Sequence, residues 1–257
     1  MRYFLFTVIA ITALAHAEIK TGMIEYSVDT VQFKGFYAFD STVQGDLPGV
    51  LVVHEWWGLN DFAREQAKKL AAMGYYAFAA DMYGGGKSTK KREQASQWAS
   101  EVRGNTKLLR KRVRAALQTL ARQERVDSTK LAAIGFCFGG TTVLHLAFGG
   151  VPVEGVASFH GHLPIPSEKE LKQTKASVLV LHGADDPSIK KADIDTFMAA
   201  LKKSSVDWQL IFFGNAVHSF TNPKSGSDKS KGVAYNERAA KRSWRYLEVF
   251  LREIFRK

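Results

Sequence analysis

The feature that most constrains the fold is a series of short, continuously apolar segments rich in β-branched and small residues. These segments occupy residues 50–55, 75–81, 131–136, 155–160, 177–183 and 208–213. Runs of this length without polar alternation are typical of strands buried on both faces, as in parallel sheets. Most of the stretches between them have the length and periodicity of helices. We therefore predict an α/β protein with a mostly parallel, doubly wound sheet and helices on both faces.

The two ends of this region complete the predicted domain. Residues 23–39 alternate between apolar and other side chains, which predicts an antiparallel pair of strands ahead of the parallel ones. Near the C-terminus, apolar residues recur at helical spacing and predict one buried helix face: Trp244, Leu247, Leu251 and Ile254. No internal repeat or linker-like stretch interrupts the chain. We predict a single α/β domain over residues 18–257.

The first residues form a segment of a different kind. Arg2 precedes an apolar run that ends at Ala15-His16-Ala17, where small residues stand in the pattern that a signal peptidase cleaves. We predict a signal peptide over residues 1–17, a mature chain that begins at Glu18, and export to the periplasm or the medium. The alternative is an uncleaved anchor, but the run is shorter than the about 20 residues needed to cross a bilayer. We expect no membrane association after cleavage.

The chain is basic, with a formal net charge of +11, which raises the question of an anionic partner. Its basic residues are spread over helical segments that also carry acids, as where Arg238 and Lys241 follow Glu237. No basic run is interleaved with aromatic residues in the manner of an RNA-binding sheet. We interpret the charge as a solvated, mildly basic surface and expect no nucleic-acid partner.

The most informative motif is Gly135-Phe136-Cys137-Phe138-Gly139-Gly140, where a predicted strand ends and a helix begins. This is the pattern of a nucleophile elbow, G-x-S-x-G, with Cys137 in place of serine. Gly135 and Gly139 suit the pattern because the turn is strained and packs against its neighbours. The start of the helix favours a thiolate at Cys137. The alternative is a structural cysteine in a glycine-rich turn; it is the only cysteine, so no disulfide forms within the chain.

Two later residues supply the partners that such a nucleophile requires. An acid and then a histidine should follow the elbow, each after a later strand. Asp186 follows the segment 177–183, and His218 follows the segment 208–213. Asp185 is the alternative acid. His160 and His162 could form a metal pair, but no ligand cluster with recognisable spacing accompanies them, so we expect no metal and no cofactor.

Together these motifs resemble the dienelactone hydrolase family, a cysteine-dependent branch of the α/β-hydrolases. The resemblance runs from about residue 23 to the C-terminus, and it is carried by VHEWWG (53–58), ADMY (80–83), GFCFGG (135–140), HGADDP (182–187) and HSF (218–220). It implies an α/β-hydrolase fold and no cofactor.

The resemblance also implies roles for individual residues. Cys137 would attack the substrate, His218 would carry protons, and Asp186 would orient the imidazole. Glu55 would lie beside the thiol of the free enzyme, form a hydrogen bond with it, and take its proton when substrate binding displaces the carboxylate. The alternative is that Glu55 pairs with a nearby cation or caps the following loop. The backbone N–H groups of Trp56 and Phe138 would form the oxyanion hole.

The chain departs from the family pattern at two places. The catechol-degrading members hold a substrate carboxylate with two arginines, and the matching places here fall within Gly84-Gly85-Gly86 and at Asn222. We predict an exported hydrolase that cleaves a small ester or lactone through an acyl-enzyme, and we favour a monomer. The alternatives are a thioesterase or peptidase-like hydrolase on the same fold, and a non-catalytic binding protein that retains the fold.

Overall fold

The structure is a computed structural model that describes residues 17–256. The strands are β1 (Ile19–Val28), β2 (Val31–Asp40), β3 (Leu47–Val53), β4 (Tyr76–Ala80), β5 (Val126–Phe136), β6 (Gly155–Phe159), β7 (Ser177–Gly183) and β8 (Trp208–Phe213). The helices are α1 (Asp61–Ala71), α2 (Arg92–Arg103), α3 (Thr106–Ala121), α4 (Phe138–Phe148), α5 (Glu168–Gln173), α6 (Lys191–Lys202) and α7 (Glu237–Ile254).

All of these strands belong to one sheet, in the order β1-β2-β4-β3-β5-β6-β7-β8. The pairs β1–β2 and β2–β4 are antiparallel, whereas the pairs from β4–β3 through to β7–β8 are parallel. The predicted, mostly parallel sheet with an antiparallel opening pair is confirmed. Val53 is in register with Gly135, Phe136 with Phe159, and Gly183 with Phe213. The carboxyl ends of the parallel strands β3, β5, β6, β7 and β8 therefore lie along one edge.

Helices cover both faces of the sheet. Along β3, Leu51 and Val53 pack into one core, whereas Val50 and Val52 pack into the other. The first core contains residues of α2 to α6, and the second contains residues of α1 and α7. This double burial explains the continuously apolar strand sequences, because neither face of a central strand meets water. The predicted buried face of α7 is confirmed, since all four residues named above lie in the second core.

Several local features differ from expectation. The segment Glu168–Gln173 forms a one-and-a-half-turn helix that was not predicted; its Ser167 and Glu170 form a capping box, but it buries only Leu171 and so lacks an apolar period. Helix α2 ends next to Gly104, and α3 begins two residues later at Thr106. The predicted signal peptide lies outside the described residues except for Ala17. None of the helices within residues 17–256 is long and apolar enough to cross a membrane.

Candidate active site

The turn between β5 and α4 presents Cys137 at the carboxyl edge of the sheet. Cys137 has φ 54° and ψ −112°, a conformation that non-glycine residues rarely adopt. Its N–H donates to the carbonyl of Phe159 on the neighbouring strand, at 3.0 Å, and its own carbonyl accepts from the N–H of Thr141. The side chain is partly exposed at the first turn of α4. The backbone therefore holds the sulfur in a strained, fixed position at a helix N-terminus, where the helix dipole favours a thiolate.

The two predicted elbow glycines lie where backbone packs directly on backbone. A Cβ atom added to Gly135 would lie 2.1 Å from the carbonyl oxygen of Gly139, and one added to Gly139 would lie 2.1 Å from the carbonyl oxygen of Val53. Neither obstacle is a side chain that can rotate away. Strands β3 and β5 and the first turn of α4 are consequently in contact through their main chains around Cys137.

His218 lies on the loop after β8 and faces Cys137. Its Nε2 is 3.1 Å from the sulfur of Cys137, and its Nδ1 is 2.8 Å from Oδ2 of Asp186. Burial alone would lower the pKa of His218, but the thiolate of Cys137 and the hydrogen bonds to Cys137 and Asp186 raise it well above its usual value. This arrangement favours an imidazolium, which is the charge state that pairs with a thiolate.

The structure distinguishes the two candidate acids. Asp186 is buried and points at His218, whereas Asp185 is exposed. The other oxygen of Asp186 accepts from the N–H and hydroxyl of Ser188, at 2.9 and 2.6 Å. Burial would raise the pKa of Asp186, but the hydrogen bonds from His218 and Ser188 lower it to about 2. Asp186 therefore carries a negative charge across the ordinary pH range. Nothing in the sequence marked Ser188 as its partner.

Glu55 does not have the contacts that the resemblance implied. Its carboxylate is buried directly after β3, where Oε1 accepts from the hydroxyl of Ser219 and Oε2 from the side-chain amide of Asn222, each at 2.7 Å. The sulfur of Cys137 instead lies against His218. The expected hydrogen bond between Glu55 and the thiol is therefore wrong for this structure. The reason is local, because the turn after His218 brings two neutral donors to both carboxylate oxygens.

The two predicted oxyanion donors come from different segments, the loop after β3 and the turn that carries Cys137. Trp56 follows Glu55 at the end of β3, and Phe138 is the first residue of α4. Neither backbone N–H donates a hydrogen bond to another group within residues 17–256. Two unoccupied donors beside a nucleophile are what a developing oxyanion needs.

An aromatic group packs beside the elbow. The rings of Tyr83 and Phe138 lie 5.6 Å apart, Tyr83 and Trp98 lie 5.6 Å apart, and His54 stacks on Phe138 at 5.9 Å. The hydroxyl of Tyr83 donates to the carbonyl of Trp56 at 3.1 Å, which links this group to the predicted oxyanion loop.

His160 and His162, which sequence suggested as a metal pair, have separate positions. His160 is fully buried at the end of β6, with Nε2 2.8 Å from the hydroxyl of Thr221 and its ring against that of His218. Within residues 17–256, no group of three or more histidine, cysteine or acidic side chains is arranged to hold a metal ion. His160 is thus a packing partner of His218, a role that its position in the sequence did not indicate.

Comparison with known proteins assigns the family. The model of the dienelactone hydrolase family matches residues 33–255, which is most of the chain. The chain belongs to the dienelactone hydrolase family. Membership of this family makes the protein a hydrolase, and the sheet described above is the α/β-hydrolase fold of dienelactone hydrolases.

Individual members of the dienelactone hydrolase family resemble the chain over nearly its whole length. The solved structure of m3DLH is 40% identical, with a TM-score of 0.88 over 92% of this chain and 99% of that one. The dienelactone hydrolase-like promiscuous phosphotriesterase P91, from metagenomic libraries, is 38% identical, with a TM-score of 0.89 over 93% and 100%. A protein of Saccharolobus solfataricus named "Putative carboxymethylenebutenolidase" is 26% identical over 90% of this chain and 98% of its own.

The two places that match the substrate-binding arginines of the catechol-degrading members make other contacts in this chain. Glycines 84–86 all have positive φ, and the N–H groups of Gly84 and Gly86 donate to the carboxylate of Asp81, at 2.9 and 2.7 Å. Asn222 holds Glu55. Both places are therefore occupied by residues that stabilise neighbouring acids within the protein.

Proposed function

We propose that the protein hydrolyses a small carboxylic ester or lactone through Cys137, His218 and Asp186. The observation that carries this proposal is the unbroken series of short contacts from Asp186 through His218 to the sulfur, at 2.8 and 3.1 Å. The strained elbow that presents a partly exposed sulfur supports the same reading. A structural cysteine needs neither a histidine at its sulfur nor an aspartate behind that histidine.

The proposed reaction has two halves. The thiolate of Cys137 adds to the ester carbonyl, and the resulting oxyanion accepts hydrogen bonds from the N–H groups of Trp56 and Phe138. The intermediate collapses to a thioester as the C–O bond breaks and the imidazolium of His218 gives its proton to the departing alkoxide. His218 then takes a proton from water, the hydroxide adds to the thioester, and the acid is released with the thiolate restored. Asp186 stays ionised and holds Nδ1 of His218.

The test is hydrolysis of a chromogenic short-chain ester and an uncharged lactone by the purified protein. We expect turnover that one equivalent of iodoacetamide abolishes, with mass spectrometry placing the single modification on Cys137. C137A should be inactive and C137S weak, and both should unfold at nearly the wild-type temperature. Full turnover by C137A would overturn the assignment of the nucleophile, and no turnover of any ester or lactone would favour a binding protein.

A second activity is suggested by one relative. P91, which is 38% identical to this chain, is described as a promiscuous phosphotriesterase. The same thiolate can attack phosphorus and expel an aryloxide, which leaves a phosphorylated cysteine that water must hydrolyse. We expect slow release of a chromogenic phenolate from a phosphotriester by the wild type and none by C137A. A burst of one equivalent without further turnover would mean that the phosphorylated enzyme is a dead end.

We also propose that the protein is exported and acts as the chain that begins at Glu18. The support is the apolar segment that ends at Ala15-His16-Ala17. N-terminal sequencing of the native protein from the periplasm or the medium should give Glu18. A native protein that retains Met1 or Arg2 would contradict this proposal.

A further inference from the structure

The carboxylate of Glu55 is an unusual group for the interior of a protein. The residue is 2% exposed, and within residues 17–256 no lysine or arginine forms an ion pair with it. Both of its oxygens instead accept hydrogen bonds from neutral side chains, those of Ser219 and Asn222. We call this pair of donors the clasp. Burial raises the pKa of Glu55, while the two clasp bonds and the positive charge of His218 oppose that rise.

The clasp is itself held firmly by the turn that follows His218. Ser219 has φ 58°, and its carbonyl accepts from the N–H of Asn222 at 3.1 Å. The hydroxyl of Ser225 donates to that of Ser219 at 3.0 Å, and the side-chain carbonyl of Asn222 accepts from the N–H of Lys224 at 3.0 Å. Each clasp residue thus has a second contact that orients its donor towards Glu55.

The clasp and the nucleophile share one structural link. Ser219 is the residue directly after His218, so the same turn positions the imidazole at the sulfur and the hydroxyl at Glu55. Resemblance to the family implied a thiol bonded to Glu55, and here the carboxylate is held by other donors while the sulfur lies against His218.

We propose that Ser219 and Asn222 are positioning residues that hold Glu55 away from Cys137, so that the sulfur is committed to His218 before any substrate binds. This inference rests on the proposed function and adds how the nucleophile is activated. Glu55 is then held by the clasp and does not act as the acceptor of the thiol proton. Activation requires no charged group on the substrate, so uncharged esters and lactones are the class of substrate that suits this site.

Other titratable groups also face the Cys137–His218 pair, and the test must separate them from Glu55. They lie at the ends of three strands and one helix: Tyr83 after β4, His160 and His162 after β6, Asp186 and His182 at β7, and Arg103 at the end of α2. None of these groups is hydrogen-bonded to the clasp. If a clasp variant alters the reactivity of Cys137, the effect should therefore disappear when Glu55 has lost its carboxylate.

The measurement is the rate of iodoacetamide alkylation of the substrate-free protein as a function of pH. An unperturbed cysteine thiol loses reactivity below its pKa of about 8.5. We expect wild-type alkylation at pH 6.5 to be much faster than that of a free thiol, because Nε2 of His218 lies 3.1 Å from the sulfur. Wild-type alkylation that falls away below about pH 8.5, as for a free thiol, would overturn the proposal.

Two variants test the clasp directly. N222L removes one donor at nearly constant volume, and S219A removes the other. Each should slow alkylation at pH 6.5 about tenfold but hardly at pH 10, because a released carboxylate can accept the S–H hydrogen bond and keep the proton on sulfur. S230A, in an exposed part of the same loop, is the matched control and should behave as the wild type. Thermal unfolding checks that each variant is folded. If one clasp variant does not fold, the other is sufficient for the test.

A double variant separates positioning from general damage to the turn. In the E55Q background, N222L should cause no further slowing at pH 6.5, because the clasp acts through the carboxylate. Equal slowing by N222L with and without E55Q, or slowing that is the same at every pH, would refute the proposal. Alkylation needs no substrate, so failure of the protein to hydrolyse esters would leave this result standing. Conversely, a protein that hydrolyses esters but is alkylated with the pH dependence of a free thiol would refute this inference and leave the proposed function standing.

Discussion

The imidazole of His160 stands edge-to-face against that of His218, with ring centroids 5.2 Å apart and the planes at 69°. Burial lowers the pKa of His160 well below its usual value, so the ring that packs on His218 is neutral. Its Nε2 is anchored on Thr221. We expect T221V to leave this nitrogen without a partner, to lower kcat for a chromogenic ester about tenfold, and to reduce the free energy of unfolding by about 1–3 kcal/mol.

The control for this prediction is T221S, which keeps the hydroxyl and should restore most of kcat. Urea unfolding of the wild type, T221V and T221S gives the free energy of unfolding of each. If T221V and T221S lost kcat equally, the methyl group and not the hydrogen bond to His160 would be what matters.

The second prediction compares the adjacent acids. D186N should lower kcat at least about 10²-fold, because the amide cannot hold the imidazolium of His218 as the carboxylate does. D185N should change kcat by less than about twofold, since surface side chains away from the chemistry are usually neutral, and Asp185 is exposed. Steady-state kinetics at pH 7 on both variants is the measurement. An inactive D185N with an active D186N would reverse the assignment of the acid.

The third prediction concerns stability in acid. Burial lowers the pKa of His145 to about 4 and lowers that of His160 well below its usual value. The unfolded chain, with histidine pKa values near 6.5, binds protons that the folded protein does not, so stability should fall as the pH decreases from about 6.5 to about 4. His218, whose pKa is raised, is protonated in both states well below about pH 6.5 and adds no slope there.

Thermal unfolding across this pH range measures the effect. H145Q, which changes a histidine on α4 outside the active site, should flatten the decline relative to the wild type. A midpoint that is constant between pH 6.5 and 4.5 would show that these histidines do not remain neutral in the folded protein.

The fourth prediction concerns the glycine loop around Asp81. The buried carboxylate accepts N–H bonds from Lys34, Tyr83, Gly84 and Gly86, at 2.7–3.2 Å. In D81N an NH2 donor replaces one carboxylate oxygen, which accepts two of these bonds. We expect the free energy of unfolding to fall by more than about 2 kcal/mol, and the urea midpoint to fall with it. D46N, at an exposed position, is the control. Equal midpoints for D81N and the wild type would contradict an organising role for this acid.

The sheet and the meeting of Cys137, Asp186 and His218 at its edge were predictable because each rests on a local pattern. Double burial imposes continuous apolar runs such as VLVVHE at β3, and a tight strand-to-helix turn requires the glycines around Cys137. Parallel strands bring their carboxyl ends to one edge, so residues that follow β5, β7 and β8 must converge.

The contacts of Glu55 were not predictable in this way. They depend on the turn after His218, where Ser219 takes a positive φ and Asn222 folds back towards the end of β3. No periodicity records such a turn, and its residues are ordinary loop residues. The contact between the amide of Asn222 and the carboxylate of Glu55 is evident only from the structure, because the two residues lie far apart in sequence.

The main-chain contacts at Gly135 and Gly139 bear on how this protein can change during evolution. Because backbone atoms of β3 and α4 occupy the space of both missing Cβ atoms, the place of the sulfur does not depend on the side chains that surround it. We expect replacement of Trp56, Tyr83 or Trp98 to leave the sulfur of Cys137 where it is. The place of this sulfur and the side chains around it can therefore change separately during evolution.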